Sequence, residues 1–247
     1  MKVSPSDTTI AARLAAVRAT IAATCARVDR PPESVTLIAV SKTHPPAALL
    51  EAIACDQVNF GENRVEEAID KIPVVMAQTS VPLTWHMIGH VQSRKAEAVV
   101  QQFSVIHSVD SLKIAERYSR FATEQGKMLT ILLEVNVSGE SSKDGFAAAH
   151  WENSESQKSL WSDIRRIIDL PGLQVGGLMT IAPIVETLEQ VRPVFSAVRR
   201  LRDALAVDFP QANWSMLSMG MTDDYTIAIE EGATFVRIGR AIFGSRS

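Results

Sequence analysis

A lysine closes the first apolar run of the chain: in L-I-A-V-S-K-T-H, Ser41 and Lys42 follow Val40. If that run is a strand ending in a confined mouth, desolvation lowers the amine pKa and favours its neutral form. A neutral amine is what condenses with a carbonyl to give a Schiff base. A solvated loop lysine would leave the same signature. Near the other end, L-S-M-G-M (Leu217–Met221) and V-R-I-G-R-A (Val236–Ala241) each end an apolar run in a small-residue turn. Ser218 offers a hydroxyl there, and Gly220 and Gly239 let backbone approach an anion closely. Asp224 can cap a following helix. Such turns bind phosphate, and they also serve as plain strand-to-helix connections. Arg237 interrupts its apolar run, so it points into a polar mouth or is buried at heavy cost. An ion-pair partner and a ligand heteroatom are both open to it. Glu62–Asn63 (F-G-E-N) and Trp85–His86 (W-H-M-I-G) put polar groups at two further run ends. His86 reads as a core histidine with satisfied ring nitrogens. No spacing marks a metal site, and no G-x-S-x-G turn marks a serine hydrolase.

Eight β-branched apolar runs must position these groups: Val35–Val40, Gln57–Phe60, Thr84–Ile88, Val105–Val109, Met128–Val137, Leu173–Thr180, Trp214–Ser218 and Phe235–Ile238. They are near-continuous, as in parallel strands covered on both faces. Helical stretches lie between them, at Pro45–Ala54, Asn63–Ile72, Ser93–Gln102, Ser111–Glu124 and Val185–Ala206. The pattern predicts an α/β fold, a single (β/α)8 TIM-type barrel over residues 1–247, with no repeat or linker. Functional groups in such barrels sit at the C-terminal ends of the strands, with phosphate held by the loops after the last two. Arg240–Ser247 is too short for a full last helix. Thr8–Val28 instead predicts an extra helix within residues 1–30 that packs on the barrel through Ile10, Leu14, Val17, Ile21 and Val28. The polar segment Glu152–Ser159 reads as an exposed loop.

Hydrophobic residues make up 46% of the 247 and charged residues 21%, ordinary for a globular chain. A net charge of −3 gives no case for nucleic acid or an anionic membrane. Cys25 and Cys55 are too few for a disulfide framework or a four-ligand zinc site and read as free thiols. No apolar run approaches the roughly 20 residues of a membrane span, and the first twenty lack a signal-peptide core. A cytoplasmic monomer is expected.

The motifs, taken in order, carry a resemblance. They are V-S-K-T-H-P (Val40–Pro45), F-G-E-N (Phe60–Asn63), W-H-M-I-G-H-V-Q (Trp85–Gln92), V-N-V-S-G-E-S-S-K-D-G (Val135–Gly145), G-L-M-T (Gly177–Thr180), L-S-M-G-M-T-D-D (Leu217–Asp224) and V-R-I-G-R-A-I-F-G (Val236–Gly244). From about Leu37 to Arg246 the chain resembles the pyridoxal phosphate homeostasis protein family, whose fold is similar to the N-terminal barrel of alanine racemase. The resemblance implies pyridoxal 5′-phosphate as cofactor, held as a Schiff base on Lys42. It implies phosphate contacts from Ser218, Gly239 and the Arg240 backbone, with the Met219 amide in addition. Arg237 would face the pyridine nitrogen, with Asn63 and Met179 near the ring. Arg94 stands where members usually have asparagine, and Arg240 where many have a small or hydroxyl residue.

The implied function is intracellular cofactor homeostasis, buffering or delivery to pyridoxal-phosphate-dependent apo-enzymes, with no catalytic residue and no amino-acid turnover. An amino-acid racemase and a Schiff-base aldolase are the alternatives. The chain ends nine residues after Ile238, and its tyrosines are Tyr118 and Tyr225. No second β-domain with an opposing acid/base is therefore expected, which disfavours controlled carbanion chemistry.

Overall fold

The computed structural model describes residues 9–244. Thr8 and residues 245–247, assigned from sequence to the first helix and the tail, lie outside the described residues. The barrel strands are β1 (Thr36–Val40), β2 (Asn59–Glu62), β3 (Thr84–Met87), β4 (Val105–Val109), β5 (Leu129–Asn136), β7 (Leu173–Met179), β8 (Met216–Met221) and β9 (Phe235–Ile238). A two-residue β6 (Phe146–Ala147) adds to β5 outside the ring. The spatial order β4-β3-β2-β1-β9-β8-β7-β5 is closed by a β4–β5 pairing. The neighbours pair in parallel, so every crossover runs through a helix outside the ring. Those helices are α2 (Pro46–Ile53), α3 (Val65–Met76), α4 (Ala96–Gln102), α5 (Leu112–Glu124), α6 (Ser154–Ile168), α7 (Arg192–Asp208) and α8 (Tyr225–Glu230). The expected α/β barrel is the observed one.

The interior divides into two zones. Between strands and helices lies a continuous apolar shell that includes Leu37, Phe60, Ile106, Leu133, Leu178, Leu217 and Val236. Inside the ring, Val105, Leu132 and Met179 form a small separate cluster with Met216. The rest of that inner column is largely polar: His86, His107, Ser218 and Arg237 are all buried. Strand alternation sends one set of side chains outward and the other inward.

Helix α1 (Ile10–Arg27) fills the place left by α9 (Arg240–Phe243), a stub of one turn. Thr9 caps α1 by accepting from the Ala12 N–H, and Leu14, Val17 and Ile21 are its buried stripe. The helix packs on α2, α8 and α9. Arg30 beyond it donates to the carbonyls of Ile229 and Ala233, each at 2.7 Å, tying chain start to chain end.

Two sequence expectations are corrected. Most of Glu152–Ser159 is helix and not loop: α6 starts at Ser154, and the Asn153 side chain accepts from the Glu155 N–H. A good cap and an acidic first turn outweigh the polarity of the segment. Strand β8 does not end at Ser218 but continues to Met221. Gly220, at φ +91°, lets that extension turn against α8, since a Cβ there would stand 2.6 Å from the Ala228 Cβ. Leu14→Ala is expected to cost about 2–5 kcal/mol in chemical denaturation, the usual range for emptying a fully buried leucine site. A loss below roughly 1 kcal/mol would show that α1 does not share the barrel's cooperative core.

Candidate functional site

A cavity of about 600 Å³ opens where the strands end, lined among others by Lys42, Asn63, Thr222, Arg237, Gly239 and Arg240. Lys42 sits in the turn after β1, and that turn is pinned from behind. Lys71 of α3 donates to the Ser41 carbonyl at 2.8 Å, to Glu62 Oε1 at 2.8 Å and to Glu67 Oε1 at 2.6 Å. The Ser41 hydroxyl donates to the same Glu62 oxygen at 2.7 Å. Thr43 adopts φ +68°, a costly region for a β-branched residue, and its N–H donates to Glu67. Glu62 is fully buried. Burial pushes its carboxyl above the usual range, although the bonds from Lys71 and Ser41 pull the other way. The His44 ring stacks on Phe243 with centroids 4.9 Å apart, joining this turn to α9.

Arg237 enters the cavity from β9 and is 4% exposed. Its Nη1 donates to Ser218 Oγ at 2.7 Å, and its Nη2 to the Thr180 carbonyl at 2.9 Å. Behind Ser218 lie His107 Nδ1 at 2.8 Å, then His86 Nδ1 at 2.9 Å from His107 Nε2, then Asn59 Oδ1 at 3.0 Å from His86 Nε2. Burial lowers the Arg237 pKa to about 10, against the pull of the Glu134 and Asp224 carboxylates, so it is a cation at neutral pH. Glu134 is pushed up to about 7, by burial first and then by Asp110.

Lys42, Asn63, Arg237, Gly239 and Arg240 are thus brought together at one cavity. Ser218, Met219 and Met179 are buried in or behind the barrel wall and do not line it. Because β8 continues to Met221, it is Met221, Thr222 and Asp223 that border the cavity from that side. Asp224 does not cap α8 with its side chain. It accepts from the Met221 N–H at 2.6 Å and so closes the β8 turn. A Cβ at Gly239 would come within 3.1 Å of the Val40 carbonyl, which keeps this position tight against β1. The Arg240 guanidinium swings out to Asp223, at 2.7 and 2.8 Å. Arg94 is exposed, bonds Gln92 and does not line the cavity. Sequence reasoning missed His107 and Thr222. His107 carried a legible signal, since V-I-H-S-V breaks an apolar strand just as V-R-I-G does. Thr222 gave none, because the strand end was placed too early.

The family model described as "Alanine racemase, N-terminal domain" matches residues 12–247. A pyridoxal phosphate homeostasis protein of Escherichia coli is 39% identical over 241 residues, covering 96% of this chain and 97% of that protein. One from Pseudomonas aeruginosa is 42% identical over 239 residues, covering 96% of each. The solved structure of PipY from Synechococcus elongatus with PLP bound superposes with a TM-score of 0.81 at 38% identity, over 96% of this chain and 100% of that one. Alanine racemase of Clostridium difficile shares the fold at TM-score 0.66 and 15% identity, over 93% of this chain and 56% of that one.

Lys71→Met leaves the buried Glu62 carboxylate without its cation and is expected to cost about 3–5 kcal/mol. Adding Glu62→Gln should recover much of that in denaturant titrations, and an unchanged double variant would show that the pair is not coupled. Glu134 titrates at about 7 in the fold against 4.5 for the ordinary group. The fold therefore favours its protonated form. The stability this gives is complete below about pH 4.5 and is lost as pH rises through about 7. From pH 5 to 8 the protein should lose on the order of 2 kcal/mol that Glu134→Gln does not lose. Equal pH slopes would contradict the assignment.

Proposed function

The chain belongs to the alanine racemase N-terminal domain family and, within it, to the pyridoxal phosphate homeostasis proteins, and on that footing we propose that it binds pyridoxal 5′-phosphate at the barrel mouth and holds it without turning over amino acids. Its task in this reading is to buffer the cofactor or deliver it to apo-enzymes that depend on it, as a cytoplasmic monomer. Among the described residues no helix is long and apolar enough to cross a membrane.

The observation that carries the proposal is that Lys42, in the turn after β1, and Arg237, on the neighbouring strand β9, line one cavity. The residues present fit the cofactor. Lys42 supplies the amine for a Schiff base with its aldehyde. Gly239 and the Arg240 backbone open the first turn of α9, where helical N–H groups have no intrahelical acceptor, and they suit the phosphate. From the β8 side, Thr222 lines the cavity, and its hydroxyl would take the phosphate role that the resemblance gave to Ser218 and Met219. Asn63 lines the cavity and would lie near the ring, while Met179 packs inside the barrel with Val105 and Leu132.

When bound, pyridoxal phosphate supplies an electron-withdrawing ring, strongest when its nitrogen is protonated. Arg237 has only donors and stays charged. Facing that nitrogen, it would donate to the lone pair, and its charge would oppose a proton there. Its bonds within the chain run to a hydroxyl and a carbonyl, both neutral. This supports holding over turnover.

Borohydride treatment of the loaded protein, followed by peptide mass mapping, should fix the cofactor on Lys42. The visible absorbance of the purified protein should be lost in Lys42→Ala. An adduct confined to Lys95 or Lys143, or a wild-type protein that takes up no cofactor, would overturn the proposal.

A further inference from the structure

Five side chains form one unbroken hydrogen-bonded line through the inside of the barrel, from Asn59 through His86, His107 and Ser218 to Arg237. Arg237 alone among them lines the cavity. The line has a definite sense. Asn59 Oδ1 only accepts, so His86 donates to it from Nε2 over 3.0 Å. A neutral imidazole carries one N–H, so His86 Nδ1 must accept, and His107 donates to it from Nε2 over 2.9 Å. His107 Nδ1 then accepts the Ser218 hydroxyl proton over 2.8 Å. Ser218 Oγ keeps its lone pairs for Arg237 Nη1, which donates over 2.7 Å. Along this line each donor meets an acceptor when both rings are neutral and the arginine is charged. Burial lowers His86 to about 3. It also lowers His107, and the adjoining His86 and Arg237 add to the effect there. A proton added to either ring would leave donor facing donor, or the Ser218 proton without an acceptor.

We propose that Ser218, His107 and His86 are positioning residues for Arg237: they anchor its Nη1, so that the guanidinium presents its other N–H groups to the ring nitrogen of the bound cofactor. Ser218 accordingly acts through Arg237 and not on the phosphate. This rests on the cofactor reading above. The chemistry suits the task. With the Thr180 carbonyl on Nη2 at 2.9 Å, two anchors fix the guanidinium plane, and both are neutral. A carboxylate in the place of Ser218 would hold the arginine as firmly but would offset its charge. A serine backed by two neutral histidines holds it without adding a bonded carboxylate to the through-space pull of Glu134 and Asp224.

Dissociation constants for pyridoxal phosphate and for pyridoxal, with the absorbance maximum of the bound form, test the assignment in wild type, Ser218→Ala, His107→Phe, His107→Gln and Thr222→Val. Ser218→Ala and His107→Phe should weaken both ligands alike, by about tenfold, the scale of one lost hydrogen bond to a charged group, and should move the absorbance maximum. His107→Gln can donate to His86 and accept from Ser218, so it should restore the wild-type values. Thr222→Val should weaken pyridoxal phosphate alone. Ser218→Ala weakening only the phosphorylated ligand would return the serine to the phosphate and overturn the proposal. Unchanged constants and spectra in Ser218→Ala and His107→Phe would overturn it too. A wild-type protein that binds neither ligand removes the cofactor reading and this inference with it. If the buried variants do not fold, nitrogen-15 spectra of the wild-type histidines decide. Both rings should be neutral Nε2–H tautomers from pH 5.5 to 8, and a charged or Nδ1–H form of either ring would contradict the line.

Discussion

A guanidinium buried inside a barrel of parallel strands demands acceptors from whatever faces it. Arg237 finds them in the Ser218 hydroxyl and the Thr180 carbonyl. Leaving such a charge unpaired would cost several kcal/mol, so neighbouring inward positions are not free to be apolar. Ser218 in turn faces His107, and His107 faces His86. The polar column inside the ring is the consequence of one charged side chain on β9. The fold tolerates it because the burial of apolar surface is carried elsewhere, by the shell between strands and helices.

A second buried charge lies under the other half of the site. Lys71 gathers the Ser41 carbonyl, Glu62 and Glu67, and holds the Lys42 turn although Thr43 pays in backbone strain for its shape. The two arrangements differ in kind. Lys71 is compensated by carboxylates and serves geometry. Arg237 is hydrogen-bonded to neutral groups, and the Glu134 and Asp224 carboxylates act on its charge only through space. Placing one on each side of the β1–β9 pair gives a mouth with a rigid amine-bearing turn facing a fixed cation.

Much of this was legible in sequence, for identifiable reasons. Strands buried on both faces are apolar throughout, so the eight runs stand out, with Arg237 interrupting one and Lys42 following another. What polarity alone could not settle was where a strand or helix begins. Glu152–Ser159 looked like a loop because α6 exposes most of its first turns, and only the Asn153 cap betrays the helix. Strand β8 reads as ending at Ser218 because Gly220 looks like a turn, whereas at φ +91° it is a kink inside the strand. A strand ending three residues early leaves Thr222 unmarked, although Met221, Thr222 and Asp223 border the cavity on that side. The pairing of His86 with His107 joins residues 21 positions apart on adjacent strands, and no local pattern reveals such a partner.

The central claim is that a cavity built on Lys42 and Arg237 holds its cofactor without activating the α-proton of an amino acid. The most direct measurement is proton NMR of L-alanine and other amino acids in deuterated buffer, with the cofactor-loaded wild-type protein free of contaminating racemase. The account predicts loss of the α-proton signal no faster than with free pyridoxal phosphate at the same concentration. Faster exchange that disappears in Lys42→Ala would contradict it.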